Sequence, residues 1–259
     1  MKEPLSVLVP TKNEEPNIRA VLESVRFAEE VVVVDSGSTD GTLAIARSMA
    51  NRVLEHEYVN SAAQKNWAIP QLTHRWILIV DADERVTPEL RERIARILAG
   101  AAADAPAADG YSLPRRNMFW GRWVRHGGLY PDYQLRLFRR QAGRFVDDAV
   151  HESVRVDGRV EALPEALLHH SYRSLEDFVQ RSNRYSTLAA GAWLARGRRA
   201  GLPDLIFRPL GRFLSMYIIR LGFLDGWRGF VLAVLYADYV FLRMAKAWEA
   251  RLPPRDNAH

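Results

Sequence analysis

Cysteine is absent from the 259 residues, which excludes disulfide staples and thiolate metal sites and leaves the redox compartment open. Unbroken apolar runs of the roughly 20 residues that a spanning helix needs are missing too. The nearest, Phe213 to Leu224 and Phe230 to Leu242, are shorter and are interrupted by Arg220 and Asp238. Glycine is missing between Pro10 and Pro16, directly after the first apolar stretch, so a glycine-rich phosphate cradle has no place there. Acidic charge is outnumbered, 31 Asp and Glu against 36 Lys and Arg, a formal net charge of +5. That balance favours anionic partners such as sugar nucleotides, acidic lipids or nucleic acid. Nucleic acid is set aside: no helix-turn-helix, zinc or RNA-recognition signature is present, and the arginines gather beside apolar segments. Met1-Lys-Glu-Pro4 runs straight into Leu5–Val9 without the basic and apolar regions of a secretory leader, which predicts a cytosolic N-terminus.

What is present is a chain 48% hydrophobic and 26% charged, enough for a real core. Leu5–Val9, ended by Pro10, and Glu30–Val34 read as buried strands. Arg52–Glu55 reads as a shorter one, and Trp76–Val80 as another buried strand. Helices are predicted between and after them. One has Pro16 in its first turn and Ile18, Val21, Leu22 and Val25 on one face. A second runs from Leu43 to Ala50 behind an N-cap at Thr39 or Asp40, a third from Asn60 to Ile69, and a fourth starts at Thr87-Pro88. Such alternation predicts a doubly wound, mostly parallel α/β sheet. Right-handed crossovers then carry the polar loop after each strand to one edge of it, where open sheets hold ligands. The Trp76–Val80 strand stops at Asp81-Ala-Asp83-Glu84. Two carboxylates there suit Mg²⁺ or Mn²⁺ shared with a diphosphate, although a plain polar turn has the same composition.

Gly100 to Gly110 is a small-residue linker, expected to be mobile. Tyr111–Arg115, Tyr133–Arg139, Ser153–Val156 and Leu167–His170 are predicted strands that complete the sheet. Ser174-Leu-Glu-Asp177 resembles a capping box opening a helix to about Ala195. The last third is helical and apolar, preceded by Arg196, Arg198, Arg199, Arg208 and Arg212. This fits either a peripheral contact with an anionic membrane face or helices packed on the sheet or on another subunit of a homo-oligomer.

Four motifs, Pro10-Thr-Lys-Asn-Glu14, Val34-Asp-Ser-Gly-Ser-Thr-Asp40-Gly41, Gln64-Lys-Asn-Trp-Ala68 and Asp81-Ala-Asp83, occur in the order and spacing of the family 2 glycosyltransferases. Gly128 to Arg139, with Val150-His-Glu152, resembles the branch containing lipopolysaccharide-core β-1,4-glucosyltransferases. The resemblance covers about residues 5–172. It implies a GT-A fold, residues 1–172 as the nucleotide-sugar-binding and catalytic domain, and 173–259 as a helical membrane-contact or oligomerisation region. It further implies a UDP-sugar donor, Mg²⁺ or Mn²⁺, and inversion at the anomeric carbon. Position by position, Pro10, Thr11 and Glu14 would line the base and ribose pocket, and Asp35 and Asp40 would hold base or ribose. Lys65 would lie near the diphosphate or ribose, Asp81 would contact ribose or sugar, and Asp83 would be the metal ligand. Inversion needs a base for the acceptor hydroxyl. Other family members carry a Glu-Asp pair where this chain has His151-Glu152, so the pattern is not fully met. Glu152 is the first choice for the base, with His151 orienting it or touching a phosphate, and Asp132 and Asp148 are the runners-up. Arg136 and Arg139 are candidates to neutralise phosphate charge. Trp120, Trp123, Tyr130 and Tyr133 are candidates to stack on a sugar. The expected activity is transfer of a hexose, glucose in first place, to a lipopolysaccharide core or other lipid-linked saccharide at the cytoplasmic face of the inner membrane. A polyprenyl phosphate acceptor is the alternative. A sugar nucleotidyltransferase is the remoter one, because the loop after the first strand lacks glycine.

Overall fold

The computed structural model describes residues 2–100, 108–148, 151–172 and 174–252, and only the backbone of 147, 148 and 151–153. The Gly100–Gly110 linker therefore lies largely outside the described residues. The chain forms two compact units, residues 1–117 with 131–171, and residues 118–130 with 172–259.

The first unit begins with β1 (Leu5–Thr11), α1 (Glu15–Ser24), β2 (Glu30–Asp35), α2 (Thr42–Met49), β3 (Arg52–Glu55), α3 (Ser61–Ala68) and β4 (Trp76–Ile79). The strands lie in the order β3-β2-β1-β4, all parallel. β1, β2 and β4 are buried on both faces, so their apolar runs divide by the period of two. Val7, Val9, Val31, Val33 and Leu78 face α1 and the helix Pro88–Leu98, meeting Ile18, Val21, Leu22, Leu90 and Ile94. Leu8, Val32, Val34, Ile77 and Ile79 face α3, meeting Ala62, Ala68 and Phe138. β1 continues past Pro10 to Thr11 rather than ending there. Its neighbour β4 last pairs at Leu8 with Ile79, so the missing N–H of Pro10 has no ladder bond to donate on that side.

Beyond β4 the sheet is mixed rather than mostly parallel. β5 (Glu84–Val86) and α4 (Pro88–Leu98) are followed by β6 (Gly110–Phe119), whose last residues enter the second unit. In the second unit β7 (Arg122–Trp123) folds back on β6. The first unit resumes with β8 (Tyr133–Arg139), β9 (Gly143–Asp148), β10 (His151–Val156), β11 (Val160–Ala162) and β12 (Leu167–His169). β8 lies antiparallel between β4 and β6, and β12 parallel to β6 brings β5 in at the far edge. β9 and β10 form a separate antiparallel hairpin that places His151 opposite Asp148 and Glu152 opposite Asp147.

The second unit contains α5 (Leu175–Ala195), α6 (Leu202–Leu214) and α7 (Gly226–Glu249). Ser174 caps α5 by accepting the Asp177 N–H at 3.0 Å. The apolar run from Phe213 is not one helix. α6 ends at Leu214, a wide turn follows over 215–219, and Leu221 takes a left-handed conformation at φ 57°. The chain doubles back there, and α7 crosses so closely that a Cβ on Gly229 would sit 1.8 Å from the Gly222 carbonyl oxygen.

Candidate functional site

The site lies in the first unit, at the edge where β1, β2 and β4 end. Thr11 and Asp35, the last residues of β1 and β2, are register partners, and the Val80 N–H donates to the Leu8 carbonyl as β4 runs out. Asp35 is fully buried. One oxygen accepts the Gly37 and Ser38 N–H groups at 2.9 and 2.8 Å and the other the Ser38 hydroxyl. Its carboxylate therefore shapes the loop after β2 from within, and in this conformation it does not face outward. Asn13 holds the same loop from the other side. It sits left-handed at φ 53°, a conformation asparagine tolerates, receives the Thr39 N–H on its side chain and donates its own N–H to Ser38. Sequence reading passed over Asn13, since nothing local marks it as a bridge between two loops.

Asp40 accepts the Thr42 N–H and hydroxyl and the Glu15 N–H. The N-cap of α2 is Gly41, not Thr39 or Asp40, yet Asp40 still satisfies the first helical donor. Burial alone would push its carboxyl up, but the bonds from Thr42 and Glu15 hold it below the ordinary carboxylate value. Glu14 accepts from the Asn17 amide at 2.8 Å. Thr11 is buried, and its hydroxyl oxygen has no hydrogen-bond partner. A buried hydroxyl left unmatched is costly unless something completes it, and here it lies at the mouth between two strand ends, beside Pro10.

α3 presents three consecutive polar residues to three different strands. Gln64 donates to the Ser36 hydroxyl just beyond β2, and Asn66 exchanges two bonds of 2.9 Å with the Phe145 backbone on β9. Lys65 is buried, with its ammonium 3.3 Å from Asp81 and over the Phe145 ring.

From Lys65 an alternating chain of charges runs across the sheet. Asp81 is paired on its other oxygen with Arg136 of β8, Arg136 with Glu84 at 2.7 Å, Glu84 with Arg115 of β6 at 3.6 Å, and Arg115 with Asp132 at 2.5 Å. Three cations meet three carboxylates, so the chain is neutral. Burial pushes the Asp81 carboxyl up, but Arg136 and Lys65 outweigh it and hold it far below the ordinary range. Burial works against the Arg136 charge as well, and Asp81 and Glu84 more than restore it. Glu84, wholly buried, also accepts the Asp81 N–H at 3.0 Å. It is thus the brace of the Asp81–Glu84 turn, a task that nothing in the local sequence marks.

This chain bears on two sequence expectations. Arg136 is not available for phosphate, because it is 5% exposed and bound between Asp81 and Glu84. Arg139 faces Asp109 at 3.5 Å and lies over Trp76. Asp132 is equally occupied: Arg115 binds one oxygen and Gln134 the other. Burial raises its carboxyl, but Arg115 and Gln134 bring it below the usual value, the wrong direction for a general base.

Asp83 stands outside the chain. Its carboxylate is 3.5 Å from the His169 Nε2, and its carbonyl accepts the His170 N–H. Arg85 anchors the same turn, donating to the Ala82 and Glu84 carbonyls and to Asn17 of α1. One carboxylate and one imidazole at a strand end fit a hard divalent cation that draws its other ligands from a diphosphate. Among the described residues no group of three or more His, Asp or Glu is placed to hold a metal ion. The side chains of His151, Glu152 and Asp148 lie outside the described residues. The expected stacking cluster is divided: Trp120 stacks on Trp227 at 5.0 Å and Trp123 meets Tyr130 edge-on, all in the second unit, while Tyr133 belongs to the first.

A family model described as Glycosyl transferase family 2 matches residues 6–155. The lipopolysaccharide core biosynthesis glycosyltransferase LpsC of Rhizobium meliloti (strain 1021) is 34% identical, over 96% of this chain and 93% of that protein. Among solved structures, the mannosyltransferase PcManGT from Pyrobaculum calidifontis, in complex with GDP-Man and Mn²⁺, superposes with a TM-score of 0.55. It is 18% identical, over 95% of this chain and 87% of that one. Glucosyl-3-phosphoglycerate synthase from Mycobacterium tuberculosis, with phosphoglyceric acid, gives 0.50 at 16% identity, over 77% and 82%. The fold is GT-A.

Proposed function

The chain belongs to family 2 of the glycosyltransferases, and on that premise we propose that it moves a hexose, glucose in first place, from a UDP-sugar to a lipopolysaccharide core or other lipid-linked saccharide. Transfer inverts the anomeric carbon, depends on Mg²⁺ or Mn²⁺, and takes place at the cytoplasmic face of the inner membrane. Donor binding and transfer are assigned to residues 1–172.

The observation that carries this reading is the unequal state of the two turn aspartates. Asp81 is already neutralised by Lys65 and Arg136, so it has no charge left for a metal and serves as a fixed acceptor for a ribose or sugar hydroxyl. Asp83, with His169 beside it, is left to hold the cation. When bound, that ion offsets the diphosphate charge and stabilises the departing nucleoside diphosphate. The Thr11 hydroxyl, buried without a partner, is suited to the nucleoside, with Pro10 before it at the end of β1 and Glu14 just beyond the strand. Asp35 and Asp40 shape and cap the facing loop. For the transfer itself, the acceptor hydroxyl gives its proton to Glu152 while its oxygen attacks the anomeric carbon and the bond to the diphosphate breaks. Asp132 is spent on Arg115 and Gln134, so the proton is assigned to Glu152, with His151 orienting it.

The test is a donor panel of UDP-glucose, UDP-galactose, UDP-N-acetylglucosamine and GDP-mannose with Mg²⁺ or Mn²⁺. Extracted core-lipid and polyprenyl-phosphate acceptors are compared, and the product anomer is read by NMR. A β-linked product from an α-linked UDP-hexose is expected. A retained anomer, or no turnover of any nucleotide sugar, overturns the proposal. Asp83→Ala is expected to abolish metal-dependent nucleotide binding by calorimetry, and unchanged binding would remove the metal from Asp83.

A further inference from the structure

Helix α6 buries none of its thirteen residues. Along it Leu202, Ile206, Leu210 and Leu214 recur every four residues, all exposed, with Phe207 beside them. The row continues through the next turn into Ile218 and Ile219, a ridge about 25 Å long at helical rise. Phe207 is 67% and Ile219 75% exposed. The other side of the helix is engaged within its own unit: Arg208 pairs with Asp204 at 2.5 Å and lies over Trp193, and Arg212 lies over Tyr236. One face is thus used and one apolar face is bare, in a surface where isolated exposed leucines would need no comment but a contiguous row does.

The charge around the row is one-sided. Residues 196–224 hold six arginines and one acid, Asp204. Arg196, Arg198 and Arg199 are exposed just before the first turn of α6, and Arg220 is exposed just past the last apolar residue of the row. Among the described residues no helix is long and apolar enough to cross a membrane.

We infer that this face docks on an anionic phospholipid bilayer, with α6 lying in the plane of the interface. Ile206, Phe207, Leu210, Leu214, Ile218 and Ile219 enter the acyl boundary and the arginines stay at headgroup level. A second copy of the chain is the poorer occupant. A two-fold contact through this face would bring Arg196, Arg198, Arg199 and Arg220 toward the same four of the other copy, with Asp204 already paired to Arg208, and like charges brought together oppose association. The inference takes its purpose from the lipid-linked acceptor proposed above, since an enzyme held at the bilayer meets such an acceptor in two dimensions, but its observations are independent of that reading.

The experiment is co-sedimentation of the full chain with vesicles of phosphatidylcholine alone or containing phosphatidylglycerol. Expected is binding to the anionic vesicles at least about tenfold tighter than to the neutral ones, weakening as salt is raised. Phe207→Ser/Ile219→Ser is expected to weaken that binding about tenfold or more. Arg198→Gln/Arg199→Gln is expected to weaken it on anionic vesicles alone. Both variants should keep the parent Tm and parent turnover in detergent-free solution with a soluble acceptor. Three results overturn the inference: no binding of the parent to anionic vesicles, equal binding by the serine variant, or a dimer in equilibrium sedimentation that the serine substitutions dissolve. If turnover fails in every protein while vesicle binding still follows the face, the enzymatic proposal falls and the docking surface stands.

Discussion

Glu84 and Asp83 are adjacent acids with opposite environments, and this difference sets what each substitution should do. Glu84 is closed off from water between Arg136, Arg115 and the Asp81 amide. Glu84→Gln removes its charge and leaves buried Arg136 and half-buried Arg115 each short of a counter-charge, an arrangement that typically costs about 3–5 kcal/mol. A matching fall in the urea midpoint with unchanged m is expected, together with loosened donor binding. An unaltered midpoint would show that Glu84 is not the brace of the turn. For the proton transfer, Glu152→Gln is expected to lower kcat by about 10²-fold or more with little change in donor Kd, while Asp132→Asn should act mainly on stability, because its carboxylate holds Arg115. A kcat loss confined to Asp132→Asn would move the base there. The sequence showed acids at a strand end because that signal is local. It could not show that Arg136, 55 residues on in the register of β8, would neutralise one of them, because that pairing is made only when β8 adds antiparallel to β4.

At the scale of elements, the parallel half of the sheet was legible because its strands are continuous apolar runs and its helices carry one apolar face. The mixed half was not. β5, β7 and β11 have three, two and three residues, too short for any period to register, and their place is decided by distant partners. The polar residues on α3 carry no local mark of burial and stood out only through the resemblance, yet Gln64 and Lys65 are buried and reach separate strands. The apolar C-terminal run was legible as helical but not as broken, since the left-handed Leu221 carries no compositional mark; the glycine beside it does. Gly229 lies against Gly222 with no room for a Cβ, so Gly229→Ala should destabilise by about 1–3 kcal/mol through overpacking. Gly191 of α5 has nothing within 4 Å of its ideal Cβ, and Gly191→Ala should be stabilising by about 0.5–1 kcal/mol on helix propensity alone. Thermal unfolding of both variants checks the pair. Equal shifts would mean that close packing of α7 on the preceding turn does not matter.

Across the whole molecule, carboxylates held below their ordinary values sit at both ends of the parallel strands. Asp81 and Asp132 lie in the charge chain at one end. Glu30 lies at the other, where burial pushes it up but bonds from the Ser6 hydroxyl, Thr73 and Arg52 bring it down. Unfolding returns them toward 3.8 for the aspartates and 4.5 for the glutamate. The unfolded chain therefore binds more protons than the folded one over the acid range, and stability rises with pH there. The stabilisation is complete above those ordinary values and is lost as pH falls through the lower folded ones, so the urea midpoint should be flat from about pH 6 to 8 in respect of these groups and drop steeply below about pH 4. Asp132→Asn and Glu30→Gln should each start lower at pH 7 and show a shallower acid limb, since the group that took up the proton is gone. Because the two sites are at opposite ends of the strands and share no partner, the double variant should lose the sum of the two slopes. An acid limb as steep in the variants as in the parent would show that these carboxylates do not govern acid unfolding, and would shift the source of the pH dependence to groups outside the sheet ends.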